Sequence, residues 1–246
     1  MVSYSDGTTT KVPLESIAPS CHQKTSAASK TLFIWGNSHA QHLYFGLREN
    51  LYADWNVLIV ASSGCRPMLD GDPASTTDYC KKSNGFALAK ILEIKPDAVI
   101  VGQAQAHKSA ELKALGARLR SAGVERVIFP GPAPRLDVDL YKIILKKLWA
   151  DRPDRTWYGI DHRVRLVNER LKQEFSAEKD FVYVDLYRVF CNESGCLTQI
   201  GSDRQQDIAS WDVSHLTPVA SDYLAKTIWL TWWSKPGECA HWSRQN

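Results

Sequence analysis

Five runs dominated by consecutive apolar residues punctuate the chain, separated by stretches in which apolar residues recur every three or four positions. The runs are Leu32-Phe33-Ile34-Trp35, Val57-Leu58-Ile59-Val60-Ala61, Ala98-Val99-Ile100-Val101-Gly102, Arg126-Val127-Ile128-Phe129-Pro130 and Phe181-Val182-Tyr183-Val184-Asp185-Leu186. They lack polar alternation, as strands covered on both faces do. Between them, Leu43, Leu47 and Leu51 mark a helix from just after Ser38 to about Tyr52. Further helices are expected over 84–94, ending before Pro96, and over 110–122, closed by Gly123. Val164, Val167, Leu171 and Phe175 line one face of a helix over 162–175. A closing helix spans 216–233, with Trp229, Trp232 and Trp233 at helical spacing and expected in the core. Residues 136–159 read as a helical insertion without a defined path.

This alternation predicts an α/β fold, a three-layer αβα sandwich around a central, mostly parallel five-stranded sheet. The Ser/Thr/Ala/Lys-rich residues 1–30 read as an N-terminal extension or linker, and 31–246 as the catalytic domain. In such sheets the site lies beyond the carboxyl ends of the strands, where Ser38, Gly64, Gly102 and Gly131 all fall.

Composition narrows the function classes. The 246 residues include 44% hydrophobic and 23% charged ones, with a net charge of +3 and no basic stripe, so nucleic acid is not an expected partner. No apolar stretch is long enough to span a membrane, and the N-terminus has no signal-peptide pattern. A protein working outside the cytoplasm would therefore be a piece of a longer chain. Six cysteines suit an oxidising compartment. Their spacing suggests Cys191 with Cys196, Cys65 with Cys80 and Cys21 with Cys239, although sequence alone leaves the pairing open. No His/Cys cluster has ligand spacing, so no metal is expected. Without a Gly-rich phosphate loop or a basic cluster suited to a pyrophosphate, no cofactor is expected either.

The candidate chemistry lies at two remote points. Gly36-Asn37-Ser38 places a serine where the first strand turns into a helix, whose N-terminal amides could stabilise a developing oxyanion. A serine needs a base held by a third group. Asp212-Val213-Ser214-His215 could supply both, with His215 as base and Asp212 fixing its tautomer. Ser38 could also be only a helix N-cap, and Asp212 only the cap of the last helix. His39 and His42 read as packing or rim polarity rather than as rival bases. Position 40 is alanine, so the G-x-S-x-G elbow is absent.

The Gly36-Asn37-Ser38 block and the Asp212-x-x-His215 block resemble those of the SGNH (GDSL-like) hydrolases. Trp35-Gly36-Asn37-Ser38-His39-Ala40, the paired cysteines and Asp212-x-x-His215-Leu216-Thr217 are more narrowly similar to the SGNH domain fused to membrane acyltransferase family 3 in bacterial O-antigen O-acetyltransferases. The resemblance implies a Ser38-His215-Asp212 triad passing acetyl to a sugar hydroxyl of lipopolysaccharide O-antigen. The donor would come from a membrane acyltransferase partner domain absent from this chain, in a periplasmic domain tethered to the inner membrane. It also implies an oxyanion hole from the Ser38 and Gly64 amides. The third family block, G-x-N-D, is altered, with Ala104 where the Asn donor would stand and Gln105 or Gln103 as substitutes. Asn37, in place of the usual Asp, and Trp211 are candidate substrate contacts. A carbohydrate acetylesterase and a non-catalytic glycan-binding module are the alternatives.

Overall fold

The computed structural model describes residues 17–24, 28–51, 53–69, 78–203 and 207–232, with side chains as far as 228. Strands β1 (Lys30–Gly36), β2 (Trp55–Ala61), β3 (Ala98–Gly102), β4 (Arg126–Pro130) and β6 (Phe181–Val184) form one five-stranded sheet in the order β2-β1-β3-β4-β6. Every neighbouring pair is parallel, with Leu32 facing Val57 on one side and Ala98 on the other. Parallel pairing requires crossovers, which four helices provide: α1 (Ser38–Asn50), α2 (Asp78–Ile94), α3 (Ser109–Ser121) and α5 (His162–Phe175); α7 (Pro218–Trp232) follows the last strand and packs on the same sandwich.

The unbroken apolar runs make physical sense in this sandwich because successive side chains serve different layers. From β1, Leu32 and Ile34 join Leu43 and Leu47 of α1 and Leu224 and Ile228 of α7. Phe33 and Trp35 pack on the opposite face with Ile91 of α2, Leu115 and Leu119 of α3 and Leu171 and Phe175 of α5. Leu32, Phe33 and Ile34 are fully buried.

Helix α2 starts at Asp78, before the expected 84–94. Polar residues break its apolar period but are buried and bonded: Asn84 Oδ1 accepts from Trp35 Nε1 at 3.0 Å, and Ser83 meets Ser62 at 2.7 Å. Cys80 in its first turn pairs with Cys65, holding the end of the loop after β2. The other expected bridge, Cys191–Cys196, closes a hairpin of β7 (Cys191–Asn192) and β8 (Gly195–Leu197). The Cys21–Cys239 pairing involves Cys239, outside the described residues, as do the side chains of Trp229 and Trp232 and all of Trp233.

The 136–159 insertion resolves into α4 (Leu140–Ile143), a π-helical turn (Ile144–Leu148) and the short β5 (Arg155–Thr156), which pairs with β8. The short helix α6 (Leu186–Phe190) follows β6 and leads into the hairpin. At the N-terminal end, Pro19–Cys21 forms a 3-10 turn and His22 is buried edge-on against Phe86. This part of the expected extension is therefore packed on the sandwich.

Candidate active site

The strand order reverses around β1, so the helices that follow β1 and β3 leave to opposite faces of the sheet, at a switch point where open α/β sheets leave a crevice. Gly36 and Gly102 face each other there. A Cβ on Gly36 would run into the Gly102 carbonyl oxygen, and one on Gly102 would press on Ala40. Glycine is thus required by close approach of strand and helix, rather than by a left-handed bend. Asn37 follows, its Oδ1 accepting the His39 N–H at 2.9 Å as the helix N-cap. The cap falls on Asn37, so Ser38, the first residue of α1, keeps its hydroxyl available.

His215 reaches that hydroxyl from the other end of the chain, with Nε2 2.8 Å from Ser38 Oγ. Its Nδ1 lies 2.7 Å from Asp212 Oδ2. A carboxylate can only accept, so Nδ1 carries the proton and Nε2 presents its lone pair to the serine. The aspartate and histidine sit in a tight loop. Asp212 Oδ1 accepts the Ser214 and His215 amides, each at 2.8 Å, and Trp211 N–H donates to the His215 carbonyl at 2.9 Å. The last helix is capped by Thr217, whose Oγ1 accepts from Ala220 N at 3.2 Å. Burial alone would raise the Asp212 carboxyl, but the two amides and the imidazole outweigh it and hold it below the usual carboxylate range.

Two histidines flank this loop. His39 Nε2 lies 3.1 Å from Ser214 Oγ, and His42 Nδ1 accepts the Leu216 N–H at 3.2 Å. The helix that begins at Ser38 therefore grips the residues immediately before and after His215. Burial, with the neighbouring His215, His107 and Arg135, pushes His39 down to about 3, and burial holds His42 well below its ordinary value. Both are neutral and unsuited to act as bases near neutrality, but they are more than packing. Their spacing from Ser38 was visible in the sequence; their partners, some 175 residues away, were not.

The expected oxyanion donors are placed as follows. Gly64 has φ +76° in a turn where Cys65 N–H donates to the Ser62 carbonyl, a backbone that favours glycine. Among the described residues the Ser38 and Gly64 amides donate to no internal acceptor. Gln103 is buried and its Nε2 donates to the Ala106 carbonyl at 3.1 Å, holding Ala106 at φ 56°. Gln105 is exposed and lines a cleft of about 470 Å³ that also touches His39 and Ser214. Trp211 is 59% exposed beside Asp212. Asn37, by contrast, is buried and engaged as the cap.

The cleft brings together Lys108, Arg135, Arg163 and Arg170, cations too scattered in sequence to be read as a cluster. Three have acidic neighbours: Lys108 with Glu111 at 2.7 Å, Arg163 with Asp161 at 2.8 Å and Arg170 with Glu174 at 3.9 Å. Arg135 adds a positive field that acts on His39 and Asp161. Chemically, the arrangement can ionise a serine hydroxyl as it attacks and offer backbone donors to the oxyanion.

A family model described as "SGNH domain (fused to AT3 domains)" matches residues 6–229. Among solved structures, the chain is similar to the periplasmic domain of a lipopolysaccharide acetyltransferase from Salmonella ser. Paratyphi A, with TM-score 0.72 and 24% identity over 89% of this chain and 87% of that one. A putative platelet activating factor from Streptococcus pneumonia gives TM-score 0.46 and 12% identity over 84% and 86%. No curated protein matches.

Proposed function

The chain belongs to the family of SGNH domains fused to AT3 domains, and on that premise we propose that it is a periplasmic O-acetyltransferase domain acting on a sugar hydroxyl of lipopolysaccharide O-antigen. The observation that carries the reading is the relay from Asp212 through His215 to Ser38, at 2.7 and 2.8 Å. In the first step Ser38 Oγ attacks the acetyl carbonyl as its proton passes to His215 Nε2. The oxyanion sits between the Ser38 and Gly64 amides, with Gln105 as the side-chain donor. Collapse transfers acetyl to Ser38, and His215 protonates the departing donor group. In the second step His215 takes the proton of the acceptor hydroxyl, whose oxygen attacks the acetyl-serine carbonyl; as the C–O bond to Ser38 breaks, His215 returns that proton to Ser38 Oγ and the acetylated sugar leaves. Asp212 holds the tautomer and stabilises the imidazolium in both steps.

The donor would be presented by the membrane acyltransferase domain to which such domains are fused, tethering this one to the inner membrane. Lipopolysaccharide as the acceptor is supported by the description of the Salmonella domain, whose likeness at 24% identity bears on the fold. Trp211 is the sugar-stacking candidate, being exposed beside the relay. Asn37 acts through the helix start that it caps. An esterase with water as acceptor is the second reading, favoured by the partial exposure of His215 and Asp212, 34% and 40% of their side chains. The assembled relay argues against a purely glycan-binding module.

The test is to incubate the chain with acetyl-CoA and O-antigen, alone and with membranes carrying its acyltransferase partner. Acetylated sugar is expected only with the membranes. Efficient transfer by the chain alone would place the donor site here, and release of free acetate only would favour the esterase.

A further inference from the structure

Exposed large apolar side chains are concentrated in one part of the surface. Val138, Tyr141, Leu145, Trp149 and Tyr158 are 48%, 42%, 57%, 54% and 50% exposed, against only Phe45, Leu166 and Trp211 elsewhere among the described residues. Tyr141, Leu145 and Trp149 recur every four positions along α4, the π-helical turn and the residue that caps it. The inner side of the same segment is also apolar: Leu140 and Ile143 are buried in the core, and Ile144 and Leu148 pack against it. A segment that is apolar on its inner side and also carries an exposed apolar stripe on its outer side is one whose outer stripe is suited to being covered.

The charges on this ridge indicate the cover. Lys142, Lys146 and Lys147 alternate with the apolar stripe, and 140–149 contains no acidic residue. Lys142 reaches Asp139 at 2.6 Å, whereas Lys146 and Lys147 are exposed and have no carboxylate partner among the described residues. Arg152 lies 3.7 Å over the Trp149 ring. Stable protein interfaces are poor in lysine, while a lysine-edged stripe of Trp, Tyr and Leu suits the boundary between headgroups and acyl chains. No helix among the described residues is long and apolar enough to cross a membrane, so the ridge would lie on it.

We propose that the ridge 138–149 docks on the surface of a lipid bilayer containing anionic headgroups, with Leu145 and Trp149 entering the interface and Lys146 and Lys147 meeting the headgroups. The ridge is hydrogen-bonded to the loop of the candidate base: Leu136 N–H donates to the Val213 carbonyl at 2.8 Å and Leu140 N–H to that of Asp212 at 3.4 Å. Docking would therefore hold the Asp212–His215 loop close to the bilayer. This inference does not depend on the acyl-transfer reading.

The experiment is co-sedimentation of the 246-residue chain with vesicles of phosphatidylcholine alone and of phosphatidylcholine with one quarter phosphatidylglycerol. Binding to the anionic vesicles is expected, weakened by salt and by about tenfold or more in both Lys146→Glu/Lys147→Glu and Leu145→Ser/Trp149→Ser. Ester hydrolysis and circular dichroism of the variants, whose changed side chains are all exposed, check that the fold and the Ser38 site survive. No binding by the parent chain, or equal binding by folded variants, would overturn the proposal. So would a concentration-dependent dimer abolished by Leu145→Ser/Trp149→Ser without vesicle binding, which would identify a second copy as the cover.

Discussion

The imidazole of His42 accepts the backbone N–H of Leu216 at 3.2 Å. With His39 touching Ser214 one turn earlier, it fixes the distance between Ser38 on the same helix and His215 on the distant loop. Replacing His42 by Ala should lower kcat for an activated acetyl ester by about tenfold to a hundredfold with little change in KM, because geometry rather than binding is lost. Asn, whose Oδ1 can occupy the position of Nδ1, should restore part of that loss. Steady-state kinetics of the two variants decide it; equal rates in His42→Ala and the parent chain would remove the positioning role.

Asp212 has two duties that substitution can separate. Asp212→Asn keeps an oxygen for the Ser214 and His215 amides but loses the carboxylate facing Nδ1, so it should fold normally and lose ~100-fold or more in kcat. Asp212→Ala also leaves two loop amides without their acceptor and should melt lower as well, by an amount equivalent to ~1–3 kcal/mol. Melting curves and hydrolysis rates together distinguish the two effects.

Stability should fall on mild acidification. His39, His42 and His107 are buried and neutral, with His39 lowered to about 3 and His107 to about 4 from an ordinary value of 6.5. Between about pH 6.5 and pH 4 the unfolded chain binds protons that the folded chain does not, so stability is full above this window and is lost as pH drops through it. Each histidine contributes up to ~1.4 kcal/mol per pH unit. Thermal melts from pH 7.5 to 4.5 check this, and a melting temperature independent of pH would contradict it.

The sheet and the relay were legible in the sequence for opposite reasons. The strands declared themselves because a parallel sheet covered on both faces needs continuous apolar runs: those at Leu32, Val57, Ala98 and Val127 lie inside the observed strands, and the one at Phe181 overruns its strand by two residues, into the Asp185 cap and Leu186 of α6. The relay was legible because its two blocks are short, local and of specific chemistry. The start of α2 was hidden because residues 78–83 are mostly polar, with Ser83 buried through a tertiary bond to Ser62 and Cys80 held by its disulfide to Cys65. The cation-lined cleft and the histidine grip were hidden for the same reason: residues far apart in the chain create them. The three-stranded sheet of β5, β8 and β7 was missed because its strands, two or three residues long, are too short for any period to register.

Cys65–Cys80 should matter more to stability than Cys191–Cys196. The first closes a separation of 15 residues and joins the Gly64 turn to α2, whereas the second spans 5 within a hairpin already paired by its backbone. Chain entropy assigns ~3 kcal/mol to a loop of the first size. Cys65→Ala/Cys80→Ala should therefore lower the melting temperature more than Cys191→Ala/Cys196→Ala, and the reverse order would refute the ranking.

The central claim is that Ser38 receives the acyl group with His215 as its base. Mixing the chain with an activated acetyl ester, quenching in acid and mapping the modified peptide by mass spectrometry addresses it directly. One acetyl group is expected on Ser38 in the parent chain, none at that position in Ser38→Ala, and far slower labelling in His215→Ala. Turnover of the ester by Ser38→Ala at the parent rate, or acetyl found only on another residue, would contradict the account.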